Sequence, residues 1–121
     1  MSEVNRVLTP GSTYFFTVPF LWPLHEIPYD EYRYTPFSIE RHLENSGFTN
    51  IKKQALGGWD ASLAQMLRLW VRRRPIGKWK RKMLSRCIFP IYKHLVKNDV
   101  APSKFSESVM ITGLVGTCVR S

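Results

Sequence analysis

Cysteine is scarce in this chain: there are two among 121 residues, Cys87 and Cys118. A pair so far apart in a basic chain does not make a disulfide scaffold and fits a reduced, cytoplasmic compartment. Metal-ligand spacing is missing too, because the three histidines, His25, His42 and His94, are scattered. No long apolar run is present. Met1 to Arg6 lacks the apolar core of a secretory signal, and Tyr14 to Leu24 is too short to span a bilayer and carries Pro19 and Pro23. Acidic residues are absent from one whole region. Residues 68–97 hold eleven of the eighteen Lys and Arg and no Asp or Glu, which leaves seven basic against nine acidic residues elsewhere. The net charge of +9 is therefore local, and one segment meets whatever it attracts.

What is present suffices for a folded α/β domain. Hydrophobic residues make up 44% of the chain and aromatic residues 13%, too much apolar surface for wholesale disorder. Glu3 to Leu8 reads as the end of a helix, broken by Pro10-Gly11. Ser12 to Val18 is β-branched and aromatic, and its adjacent Phe15 and Phe16 suit a strand covered on both faces. A loop with four prolines follows, from Pro19 to Pro36. A short helix capped by Thr35 or Ser38 carries Phe37, Ile39 and Leu43 and ends at Gly47. Phe48 to Leu56 is the next strand, closed by Gly57-Gly58. Asp60 is the expected N-cap of a helix bearing Leu63, Met66, Leu67, Trp70 and Val71, which Pro75 ends. A second helix runs from about Lys78 to Val96, with Pro90 expected to bend or split it. A linker from Asn98 to Ser106 leads to a last strand over Ser108 to Val119.

Three segments, in order, resemble the class I S-adenosylmethionine-dependent methyltransferases of the type 11-like group. Glu3-Val4-Asn5-Arg6-Val7-Leu8-Thr9-Pro10-Gly11-Ser12 is similar to the family's helix ending in Arg-Val-Leu-Lys-Pro-Gly-Gly before its fifth strand, departing at Thr9 and Ser12. Leu43-Glu44-Asn45-Ser46-Gly47-Phe48 resembles the approach to its sixth strand. The loop containing His25-Glu26, Pro28-Tyr29-Asp30 and Arg33-Tyr34-Thr35 looks like one subfamily. The resemblance covers residues 3–58 well and the last strand loosely.

It implies the C-terminal half of a Rossmann-like sheet ordered 3-2-1-4-5-7-6, with strand 7 antiparallel. Residues 12–18 would be strand 5, about 50–57 strand 6 and about 108–119 strand 7, with a basic two-helix insertion at about 60–97. The family's cofactor is S-adenosylmethionine, gripped by strands that have no counterpart here. No Gly-x-Gly-x-Gly follows a strand, and Gly113 and Gly116 suit a bulge or close packing instead. The resemblance thus implies a chain without its cofactor half, inactive alone and with one edge of its first strand unpaired, an invitation to self-association.

Methyl transfer is an in-line displacement, so the protein positions the acceptor and supplies a base where a proton must leave. The resemblance puts the loop on the acceptor side, with His25 as base and Glu26, Asp30 and Arg33 orienting it or the acceptor. On the residues alone, Asp30 and Arg33 equally make a structural ion pair. Trp22, Tyr29 and Tyr32 either line a pocket for a small-molecule, sugar-linked or lipid-linked acceptor or cover the core. The basic helices carry Trp70, Arg72, Arg73, Arg74, Lys78, Trp79, Lys80, Arg81 and Lys82. Tryptophan among Lys and Arg beside an apolar stripe suits peripheral contact with a membrane over residues 68–86. Nucleic acid answers to the same charge but is not the favoured partner, and a solvated basic face is the simplest alternative. A non-enzymatic membrane-binding module around residues 60–97 is the competing function.

Overall fold

The computed structural model describes residues 1–121 as two compact units, one made of Met1–Leu56 with Gly113–Ser121 and the other of Gly57–Thr112. In chain order the elements are α1 (Ser2–Val7), β1 (Thr13–Pro19), α2 (Pro36–Asn45), β2 (Phe48–Leu56), α3 (Trp59–Arg73), α4 (Lys78–Asn98) and β3 (Gly113–Arg120). No helix is long and apolar enough to cross a membrane.

The first unit is a mixed α/β layer built on an open three-stranded sheet in the order β1-β3-β2. β3 is antiparallel to both neighbours, so β1 and β2 run parallel to each other. Phe16 and Lys53 flank Gly116 in register across the sheet. Gly116 permits that approach, because a Cβ there would fall 2.5 Å from Phe16 Cζ and 2.4 Å from the Lys52 carbonyl. Close packing is its reason. A register shift between Thr49 and Lys52 coincides with Asn50 at φ 49°, a conformation Asn tolerates better than most residues.

α2 starts where Thr35 Oγ1 accepts the Ser38 amide at 3.1 Å and Ser38 Oγ accepts the Thr35 amide at 2.9 Å, with Pro36 in the first turn. Both expected cap residues act, as one reciprocal box. The helix ends before Gly47, at φ 83°. α2 lies against β2, and Ile39 and Leu43 are fully buried together with Leu114 and Cys118 of β3. Each such aliphatic burial contributes about 1.5–3 kcal/mol.

Two expectations need correction here. β1 is covered on one face only: Phe16 is buried while Phe15 is 61% exposed. Alternation holds after all, and Phe15 lies with exposed Thr13 and Thr17 on the face opposite the core. The last strand begins at Gly113, not Ser108. Ser108 takes φ 67°, and its carbonyl accepts the Trp59 indole N–H at 2.8 Å, which commits it to the second unit.

The second unit is an antiparallel helical pair, α3 and α4, with the segment 99–112. α3 begins one residue before Asp60, so Asp60 sits in its first turn and Gly58 at the cap. The cap is supplied from elsewhere. Asp99, just beyond α4, takes the Gly58 amide on its two carboxylate oxygens at 3.1 and 2.9 Å and the Ala61 amide on Oδ1 at 2.8 Å. A carboxylate at a helix N-terminus satisfies orphan N–H groups and meets the positive end of the dipole. Gly58 lets the chains approach, since a Cβ would lie 2.2 Å from the Val100 carbonyl oxygen. Pro90 neither ends nor splits α4, which continues through it. Along α3, Ala64 and Val71 are buried, whereas Trp59, Leu63, Met66 and Trp70 form an exposed row.

Candidate functional site

The loop of residues 20–35 leaves the carboxyl end of β1 and is organised around one carboxylate. Asp30 is 6% exposed at its side chain. Both Nη atoms of Arg33 donate to it, one on each oxygen, with Nη2 to Oδ2 at 2.6 Å. The His25 amide donates to Oδ2 at 2.9 Å, and His25 Nδ1 lies 3.1 Å from the same oxygen. Arg33 also donates to the carbonyls of Pro23 at 3.2 Å and Tyr32 at 3.1 Å. The guanidinium first, then the His25 amide, hold the Asp30 carboxyl well below the usual carboxylate range. Arg33 is raised in turn by Asp30.

Asp30, Arg33 and His25 therefore form one set. The His25 ring is 48% exposed, and its Nδ1, not its Nε2, is the nitrogen that faces Asp30. Glu26 is placed differently. It sits at φ 51° in an exposed turn and contributes its carbonyl, which accepts the Tyr29 amide at 2.8 Å. Trp22, Tyr29 and Tyr32 are all exposed. Tyr32 stacks on Tyr34 with centroids 5.9 Å apart, and Tyr34 meets His42 edge-on at 5.5 Å.

In the helical unit, Trp70, Arg72, Arg73, Arg74, Lys78, Trp79, Lys80 and Lys82 are exposed. The Arg74 guanidinium lies 4.2 Å from the Trp70 ring centroid, a cation–π contact. Arg81 behaves otherwise: half-buried, it donates through Nη2 to the Arg74 carbonyl at 3.3 Å and faces the Ile76 carbonyl at 3.5 Å, tying the turn between helices. None of the four ion pairs in the molecule involves a residue of 68–97.

Sequence reasoning missed a cleft of about 340 Å³ between α3 and α4. Arg68, Val71 and Arg72 line it from α3, and Ser85, Ile88, Phe89 and Tyr92 from α4. The signal was available: Arg68 and Arg72 are i,i+4 on one helix, and Ser85, Ile88 and Tyr92 follow the same period on the other.

The residues present do not form an S-adenosylmethionine site. The one strand–Gly-Gly–helix turn, Leu56 through α3, has the amides of Gly58 and Ala61 occupied by Asp99. Gly113 is fitted against the Val18 carbonyl, where a Cβ would lie 2.9 Å away, and Gly116 against Phe16 and Lys52. No model of a known protein family, no curated protein and no solved structure matches this chain.

Proposed function

We propose that this chain is the acceptor-side half of a class I S-adenosylmethionine-dependent methyltransferase. The observation carrying this reading is the sheet order: an antiparallel β3 inserted between parallel β1 and β2 agrees with the 5-7-6 order that the sequence resemblance implies for the end of that family's sheet. The placement of the His25–Asp30–Arg33 set just beyond the carboxyl end of β1 supports it further, since open α/β sheets bind ligands there.

The chemistry follows from the set itself. Arg33 fixes Asp30 as a carboxylate, and Asp30 accepts from the His25 amide and faces Nδ1. With Nδ1–H donated to Asp30, the lone pair sits on Nε2, which would take a proton from the hydroxyl or amine of an acceptor held beside it. Asp30 then stabilises the imidazolium. Tyr29 and Trp22 offer exposed rings to an acceptor with an apolar or sugar face. S-adenosylmethionine would supply the methyl group from a site made by residues other than these.

The test joins the 121 residues to the coding segment upstream of them and follows methyl transfer from labelled S-adenosylmethionine. The joined polypeptide is expected to bind the cofactor at micromolar concentration and to lose about a hundredfold or more of its rate in His25→Gln. Micromolar binding by the 121 residues alone, or none by the joined polypeptide, overturns the proposal.

A further inference from the structure

We propose that the cleft between α3 and α4 is a binding site for the phosphate headgroup of an anionic membrane phospholipid, clamped by Arg68 and Arg72. This inference does not rest on the methyl-transfer reading, because every residue it uses lies in the second unit.

The first argument is charge. Arg68 and Arg72 stand one helical turn apart on the rim, so their guanidiniums can close on one phosphate from two sides. They are not committed to carboxylates, since every ion pair of the molecule lies outside residues 68–97. Arg68 rests 6.0 Å from the Tyr92 ring centroid, a contact that orients it along the wall without neutralising it. Ser85 adds a hydroxyl to the same space. By helical spacing, Lys78, Lys82, Arg86 and Lys93 lie along the flank of α4 that continues from Ser85 and Phe89, so the cleft opens onto a field of one sign.

The second argument separates a phospholipid from other polyanions. The apolar lining is Val71 and Ile88 with Tyr92 and exposed Phe89, aliphatic as much as aromatic, which suits a glycerol and acyl stem better than stacked bases. About 340 Å³ falls at the lower end of small-ligand sites, enough for a headgroup and too little for a whole lipid. A lipid held there would keep its chains in the bilayer. Exposed Trp79, flanked in sequence by Lys78, Lys80 and Lys82, has the composition of an interfacial anchor at the start of α4.

The experiment is co-sedimentation of the full chain with phosphatidylcholine vesicles, with and without phosphatidylglycerol, at fixed salt. Binding is expected only with phosphatidylglycerol. The double variant Arg68→Gln/Arg72→Gln should weaken it about tenfold or more. Lys97→Gln/Lys104→Gln, at two exposed positions outside the cleft lining, removes the same charge and should weaken it less than about threefold. Ser85→Asp, an exposed position on the helix, should mimic the arginine variant. Equal losses in the two double variants would show that diffuse charge suffices and would overturn the site. Inorganic phosphate displacing the chain from vesicles at equal salt would assign the cleft to free phosphate, and a single-stranded oligonucleotide binding more tightly than vesicles would assign it to nucleic acid. Either result overturns the lipid.

Discussion

Arg33 grips Asp30 through both of its terminal nitrogens, one to each carboxylate oxygen, and that pairing leaves Asp30 Oδ2 facing the amide and ring of His25. The loop has almost no regular secondary structure, so these bonds are its main constraint. Arg33→Met should release it: amide exchange across residues 22–33 is expected to quicken by on the order of tenfold or more, with the sheet unchanged. The pH dependence has a definite sign. Asp30 titrates below its ordinary 3.8 in the folded chain, so its contribution is present above that value and is lost only as pH falls through the lower folded one. The side-chain carboxyl carbon shift of Asp30 in NMR should therefore show its protonation step only below about pH 4. A transition near pH 5 would contradict the pairing.

Asp99 caps α3 from across the unit, and the cap should be measurable. Asp99→Ala removes the acceptor of three hydrogen bonds and is expected to cost about 1–2 kcal/mol in urea unfolding. Asp99→Asn, which keeps an acceptor but not the charge, should cost less. Gly58→Ala forces a Cβ toward the Val100 carbonyl and should cost about 1–3 kcal/mol although it adds one methyl group. A neutral Gly58→Ala would mean that the two segments do not approach as described.

β1 is paired along one edge, to β3, and Phe15 stands exposed on its open face. An open edge beside an exposed aromatic residue favours association between copies. Sedimentation velocity should show mass rising with concentration, and Phe15→Lys should shift the distribution toward monomer with a stability change within about 0.5 kcal/mol. Replacing fully buried Leu43 by Ala should instead cost about 2–5 kcal/mol. A monomer at all concentrations would remove the association; a large loss in Phe15→Lys would remove the exposed-face assignment.

The two thiols should behave differently. Cys87 is exposed and Cys118 is buried, and burial pushes the Cys118 thiol up. A thiol-reactive probe at pH 8 should label one site quickly in the folded chain and the second only on unfolding. Fast labelling of both would show that β3 opens readily.

Much of the architecture was legible because it rests on local chemistry. The Thr35–Ser38 box, the Gly47 stop, the span of β2 and the limits of α3 and α4 each depend on a few consecutive residues, whose caps and breakers act within one turn. The candidate site was legible in part. Its titratable residues cluster within nine positions, but that His25 and Arg33 join Asp30 while Glu26 stays outside depends on a loop path held by several bonds together. The exposure of Trp59, Leu63 and Met66 beside Trp70 was not read, nor was the cleft, because an amphipathic period shows that a helix has two faces and not which is covered.

Sequence by itself determined the elements, the segregation of charge into residues 68–97 and the two-sided character of the helices, since these follow from propensity and spacing. Tertiary structure decided the rest. Only packing could show that Ser108 holds the Trp59 indole rather than opening the last strand, that Asp99 rather than Asp60 caps α3, and that Arg68 and Arg72 line a cleft. The physical reason is common to all three: each joins residues distant along the chain, and the free energy that selects such a pairing comes from burial and hydrogen bonding in three dimensions, on which no local run of residues bears.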